Sequence, residues 1–200
     1  APAPPPKPAG VIDSEAAERI LSMVNRLLEG DPGMGLPALL DLILAELVQA
    51  VSAERGFILL REPNDELVIR AARDLAGDTI VDAGRQVSRK IAERAASESV
   101  PLRAVRPAED PRFAGSRSAK ALDLQAVVAA PLRYRRIDLG SVVLDRKGTQ
   151  VAFDDAAEAL VARFAKVASG LIVRTRKRDA ERRRIEALED LFSRGTDQVK

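Results

Sequence analysis

The chain has 200 residues, 46% of them apolar, with a net charge of +2, which is enough to bury one core. It contains neither cysteine nor histidine, and this removes disulfides, thiolate nucleophiles, most zinc sites, histidine-ligated haem and Ser-His catalysis. No apolar run approaches the roughly 18 to 20 residues that span a bilayer, and the amino end has no signal-peptide core, so a soluble, cytoplasmic protein is expected.

Charge is uneven along the chain. From Arg174 onward there are nine basic and six acidic residues, so the tail carries +3 and residues 1–173 sum to −1. A near-neutral body argues against a nucleic-acid-binding domain, whose positive charge usually lies on the folded face. The carboxylates are scattered at helical spacing among Arg and Lys, the pattern of solvated faces, so no catalytic residue, metal site or cofactor is expected. Gly30, Gly33 and Gly35 surround Asp31-Pro32 without a preceding strand or a following Lys-Ser/Thr, so they do not form a phosphate loop.

Residues 1–12 include the Pro-Ala tract APAPPPKPAG, which reads as an extended interdomain linker, and with no initiating Met the chain is expected to be cut from something longer or processed. Asp13 or Ser14 can cap a first helix with Ile20, Val24, Leu27 and Leu28 on one face, ended by Gly30. A second helix is expected from about Pro37 to Ser52, its stripe running through Leu39, Leu40, Ile43, Leu44, Leu47, Val48 and Val51. Arg55 to Arg61 and Leu67 to Arg73 then read as an antiparallel hairpin turned at Glu62-Pro63-Asn64-Asp65-Glu66. Ser88 is positioned to cap a short helix through Ser97, and Pro101 to Val105 reads as a brief third strand. A long loop covers Arg106 to Ser118, and Ala119 to Leu122 adds a helical turn.

Two further strands follow, Ala126 to Leu132 and Ile137 to Leu144, expected to be buried at one end and wet at the other, where Asp145, Arg146 and Lys147 stand. Asp154 can cap the last helix. Leu160, Phe164, Val167 and Leu171 step by four and three, and the frame continues through Arg174, Arg178 and Glu181 to Ile185, Leu188 and Phe192, a coiled-coil seam with a polar middle. Continuous to Phe192, this helix is roughly 58 Å long, so its distal half is expected to leave the body.

This order of elements resembles the GAF family of signalling domains. The stretches that carry the likeness are AERGFILL at Ala53 to Leu60, DPRFAGSRSAKALDLQAVVAAPLR at Asp110 to Arg133, and LGSVVLDRK followed by FDDAAEALVARFAKVASGLIV. The details look most like the GAF modules of bacterial enhancer-dependent transcription activators, and also like those preceding histidine kinases or nucleotide cyclases. The resemblance implies an α+β fold of the PAS/GAF type, with a central antiparallel sheet of five or six strands. It also implies a ligand pocket on one face, with terminal helices on the other that pair two subunits. The domain is then residues 13–173, and 174–200 form a basic signalling helix leading to an output domain, an ATPase, kinase or cyclase. Members bind cyclic nucleotides, bilins, haem, metals or metabolites, or nothing. The family's cyclic-nucleotide signature falls here on Asp145, Arg146, Phe153, Ala157 and Glu158, and three of these five differ from it.

If a small ligand binds, such as an anionic metabolite or a cyclic nucleotide, the middle loop and the first strand of the second hairpin should line its site. Arg112 or Arg117 would clamp an anion, Phe113 would close over it, Val128 and Ala130 would leave room, and Tyr134 would offer a hydroxyl. The alternative is that Phe113 and Val128 are core and the arginines are solvated. For the terminal helices the expected function is homodimerisation, through Ile20, Val24, Leu27, Leu160, Phe164, Val167, Leu171, Ile185 and Leu188. The basic run from Arg174 has no interleaved aromatic for base stacking, and its arginines in the seam make a marginal coiled coil that a few kcal/mol can switch.

Overall fold

Strand β1 (Arg55–Arg61) carries apolar side chains on both sides and has Gly56 to Leu60 all buried, so it must lie inside a sheet that is covered on both faces. The computed structural model describes residues 18, 22, 34–113, 121–149 and 151–197, with side chains described as far as residue 189. Among them, β1 lies between β2 (Leu67–Asp74) and β5 (Ile137–Arg146), which pairs with β4 (Ala126–Tyr134), and β3 (Leu102–Val105) forms the far edge. The order is β2-β1-β5-β4-β3, and every neighbouring pair is antiparallel.

The two faces are filled by different helices. Helix α1 (Leu36–Ala50) lays Leu39, Leu40, Ile43, Leu44, Leu47 and Val48 on one face, against Ile58, Leu60, Val128, Ala130, Val142 and Leu144. The approach is close at Gly56, where an added Cβ would lie 2.5 Å from Val48. The other face holds Phe57, Leu59, Val127, Ala129 and Val143 and is covered by α3 (Arg89–Ser97) through Ile91, Ala92, Ala95 and Ala96. Ser88 takes the N-cap position of α3. A short helix α2 (Ala83–Gln86), unforeseen in the polar stretch of the sequence, precedes it.

The carboxyl end of β5 departs from expectation. Asp145 and Arg146 belong to the strand, and both are buried, at 1% exposure each. Pairing explains this: Asp145 faces Arg55 on β1, and Arg146 finds backbone carbonyls on the opposite face. Near the other end of β5, Gly140 has φ +132° and an added Cβ would fall 2.0 Å from the Leu59 carbonyl oxygen, so only glycine fits there.

Helix α4 (Asp155–Asp197) is continuous over 43 residues, roughly 65 Å at 1.5 Å per residue. Asp154 caps it as expected, accepting the Ala157 N–H at 2.7 Å. Val161, Phe164, Ala165, Ala168, Leu171 and Ile172 bury its first half beside α1. Contact with the body continues past the expected boundary at Val173. Arg178 donates through Nη2 to the Met34 carbonyl, and Asp179 accepts the Leu36 N–H at 3.4 Å. Because Gly35 at the N-cap of α1 has no side chain, the carboxylate of Asp179 does the capping from another helix. The first helix expected from sequence, with Ile20, Val24 and Leu27, lies outside the described residues, although Glu18 and Ser22 within its span are helical. The helical turn expected from Ala119 to Leu122 lies partly outside them too.

Candidate sensory site and relay

The structure separates the six residues expected to share a ligand site. Phe113, in the 3₁₀ turn Pro111–Phe113, is buried on the α3 face with Val127 and Ala129. Val128 and Ala130 point the opposite way, into the core under α1 and α4, and half-buried Tyr134 packs against that same core. The reason is the twofold period of a strand: shifting the inward set by one residue sends it to the other face. Strand β4 is apolar on both faces, so its sequence has no alternation from which to read the shift. Arg117 lies outside the described residues.

Arg112 is held rather than open. Its Nε and Nη2 grip the Asp110 carboxylate at 3.1 and 2.7 Å, and Nη2 also donates to the Arg103 carbonyl at 2.6 Å. The guanidinium stands 5.5 Å from the centre of the Phe113 ring. The pair shifts both groups: the hydrogen bond from Arg112 holds the Asp110 carboxyl below its ordinary value, and Asp110 raises Arg112. Arg112 thus fastens the middle loop to edge strand β3.

From β3 the connection reaches the exit helix. Arg103 donates to the Phe153 carbonyl at 2.8 Å and to Asp155 at 2.6 Å, and its Nε lies 3.1 Å from Glu158. Both carboxylates stand in the first turn of α4, where negative charge also meets the positive end of the helix dipole. Strand β5 makes a second connection through Arg146. Its guanidinium donates to the carbonyls of Val51 at 2.8 Å, Ser52 at 3.1 Å, Val151 at 2.9 Å and Ala152 at 3.2 Å, and lies 4.0 Å from the centre of the Phe153 ring. Arg146 therefore ties the end of α1 to the segment entering α4. Burial pulls its pKa below the ordinary arginine value, yet a guanidinium remains ionised in proteins.

On the other face of the same strand end, Arg55 grips Asp145 through Nε and Nη2, both at 2.8 Å. Burial pushes the Asp145 carboxyl up to about 6 in spite of this partner. The five positions matching the family's cyclic-nucleotide signature are thus occupied internally: Asp145 by Arg55, Arg146 by carbonyls, Phe153 under Arg146, Ala157 in the core and Glu158 by Arg103.

Clefts flank the exit helix. One, about 660 Å³, lies between the start of α1, the β1–β2 hairpin and α4, with Leu36, Leu40, Ile69, Arg61, Arg176 and Arg183 in its walls. Another, about 240 Å³, lies between β4 and α4. Among the described residues no group of three or more His, Cys, Asp or Glu is placed to hold a metal, and no helix is long and apolar enough to cross a membrane.

The sequence profile of the GAF domain family matches residues 35–172, from the start of α1 to the buried half of α4. The chain belongs to the GAF family. Solved structures agree on the fold. The GAF domain of a phosphoenolpyruvate-protein phosphotransferase from Coxiella burnetii is 17% identical, with a TM-score of 0.59 over 84% of this chain and 99% of that one. The GAF domain of a candidate sensor histidine kinase from Pseudomonas syringae pv. tomato is 16% identical, with a TM-score of 0.56 over 84% and 93%. The corresponding domain of an Acinetobacter phosphoenolpyruvate-protein phosphotransferase is 19% identical, with a TM-score of 0.57 over 82% and 94%. No curated protein sequence matches the chain.

Three arginines that tie the elements together were not legible as such in the sequence. Arg103 lay inside an expected strand, Arg55 at the start of another, and Arg146 in a stretch expected to be wet. The available signal was that each adjoins a run of apolar strand residues, where a charge must find partners.

Proposed function

We propose that this GAF domain is a non-catalytic regulatory input module of a bacterial signal-transduction or transcription-regulating protein. It dimerises through its terminal helices and relays a change in packing along α4 to an output domain on the same polypeptide. The observation that carries this reading is the exit helix. Its first half is core, its start is pinned by Arg103 and Arg146, and its distal half presents Ile185 and Leu188 at 55% and 47% exposure.

The dimer seam we propose is narrower than the heptad pattern implies. Phe164 and Leu171 are each 3% exposed within one chain, and Leu160 and Val167 pack on the same core, so these four hold the domain together. Among the described residues, Ile185 and Leu188, one helical step apart and past the last contacts with α1, are the exposed large apolar positions of α4, and Ile20, Val24 and Leu27 remain candidates beside them. The names of structural neighbours, which include a sensor histidine kinase and a methyl-accepting chemotaxis protein, support a signalling setting.

Because the chain has no cysteine, single-cysteine cross-linking gives a clean test. Paired seam positions bring Cα atoms close to the 4.4 to 6.8 Å that a disulfide requires. Ile185→Cys and Leu188→Cys should therefore cross-link efficiently under mild oxidation, whereas Glu186→Cys, on another face of the helix, should not. Equal yields at all three positions would contradict a defined seam.

A further inference from the structure

Arg133, near the end of β4, has an unusual arrangement. Its Nη1 is engaged, 3.2 Å from the Ser99 hydroxyl oxygen and 3.5 Å from the Glu98 carbonyl. Its Nε is buried and has no hydrogen-bond partner. A buried N–H without an acceptor costs roughly 1 to 3 kcal/mol, so such a group calls for an explanation. Where the Nε and Nη2 edge of an arginine is engaged elsewhere among the described residues, it donates to oxygen acceptors: Arg55 grips the Asp145 carboxylate with it, Arg112 grips Asp110, and Arg146 holds the Ser52 and Val51 carbonyls. In Arg133 no described residue accepts from that edge.

The surroundings favour an anion. Arg133 lines the cleft of about 240 Å³ together with Lys166 of α4 and Ser99, Pro101, Ala130, Pro131 and Ala162, with no carboxylate in the lining. Lys166 is exposed and no described residue pairs with it. The two alanines leave space, and the two prolines offer no N–H to compete.

We propose that this cleft binds a small oxyanion, the phosphate or carboxylate group of a metabolite smaller than a nucleotide. Two of its oxygens accept from the Arg133 edge, the bidentate geometry that guanidinium groups favour, and Lys166 neutralises it from the exit helix. The volume lies below the roughly 300 to 1,000 Å³ of sites that enclose drug-sized ligands. The site lies on the terminal-helix face of the sheet, away from Phe113 and the middle loop. An anion held there joins β4 to α4 and so adds a ligand-dependent tie at the base of the exit helix. The inference does not rest on dimerisation, because a monomer that binds the anion supports it equally.

The test is thermal melting of the full chain in sodium phosphate and in sodium acetate, each against sodium chloride of equal ionic strength. At least one oxyanion should raise Tm saturably beyond chloride; saturation with phosphate alone assigns a phosphoryl group, and with acetate alone a carboxylate. Arg133→Lys, which keeps the charge but loses the fork, should weaken that response at least tenfold, and Lys166→Met should weaken it several-fold. Phosphate and acetate curves that both overlie chloride overturn the proposal, as does wild-type binding by Arg133→Lys. Should Arg133→Lys lose cooperative melting, the exposed Lys166 decides: wild-type binding by Lys166→Met overturns the proposal.

Discussion

Replacing Arg146 tests whether the sheet is physically coupled to the exit helix. Its guanidinium holds four carbonyls, of Val51, Ser52, Val151 and Ala152, at 2.8 to 3.2 Å, and methionine can hold none of them. At about 1 kcal/mol for each hydrogen bond lost, Arg146→Met should cost about 4 kcal/mol before relaxation. The relief from burying no charge lowers this, to about 3 kcal/mol. Lysine, with three donors on one atom, reaches only part of the set, and Arg146→Lys should cost about 2 kcal/mol. Such losses are a large share of an ordinary domain stability of about 5 to 15 kcal/mol. Urea unfolding followed by far-UV circular dichroism reads them as a fall in the midpoint at unchanged m. Native-state hydrogen exchange adds a spatial check, because Arg146 ties two helices. Protection should fall together at Ala53, whose N–H donates to Val48, and at Glu158, whose N–H donates to Asp154. A loss under about 1 kcal/mol for Arg146→Met, or deprotection at only one of these ends, would refute the coupling.

Other consequences follow from single groups. With the folded pKa of Asp145 raised from 3.8 to about 6, the native state holds a proton that the unfolded chain has released. Stability from this group is therefore full below pH 4 and lost as pH rises to 6, by about 3 kcal/mol. Asp145→Asn should abolish that slope in pH-dependent denaturation, and a wild-type minus variant difference that instead grows with pH would mean the pull of Arg55 outweighs burial. Gly140→Ala forces a Cβ against the Leu59 carbonyl at a φ suited to glycine, and should cost roughly 3 kcal/mol or more by urea unfolding; a change within 0.5 kcal/mol, the size of an ordinary surface substitution, would contradict the geometry. Asp179→Ala removes the cap of α1 and should cost about 1 kcal/mol, with faster amide exchange at Leu36; unchanged exchange there would show that the capping bond is not formed in solution.

The elements that sequence predicts well here are those with a period. Helix α1 has an unbroken stripe from Leu39 to Val51, and β1 and β2 are bounded by Glu62-Pro63-Asn64-Asp65-Glu66, so their limits fall within a residue or two of expectation. Asp154 was legible as a cap because the preference for that position is local. The site was less legible, for a physical reason. Strands β4 and β5 are apolar on both faces, so nothing in the sequence of β4 says that Val127 and Ala129, rather than Val128 and Ala130, lie with Phe113. Asp145 and Arg146 look like a wet end until their partners, Arg55 and the carbonyls of residues 51, 52, 151 and 152, arrive from distant parts of the chain. The heptad pattern from Leu160 to Leu188 is equally ambiguous, since the same spacing serves a core in Phe164 and Leu171 and an exposed face in Ile185 and Leu188.

Sedimentation equilibrium at tens of micromolar most directly tests the claim that this GAF domain joins subunits through its exit helix. The comparison is between the intact chain, a chain ended after Ala180 so that the Asp179 cap is kept, and the double variant Ile185→Lys, Leu188→Lys. The account predicts a dimer for the intact chain and a folded monomer, or a dimer weakened at least tenfold, for the other two. A monomer for all three, or a dimer of equal strength in all three, would contradict it.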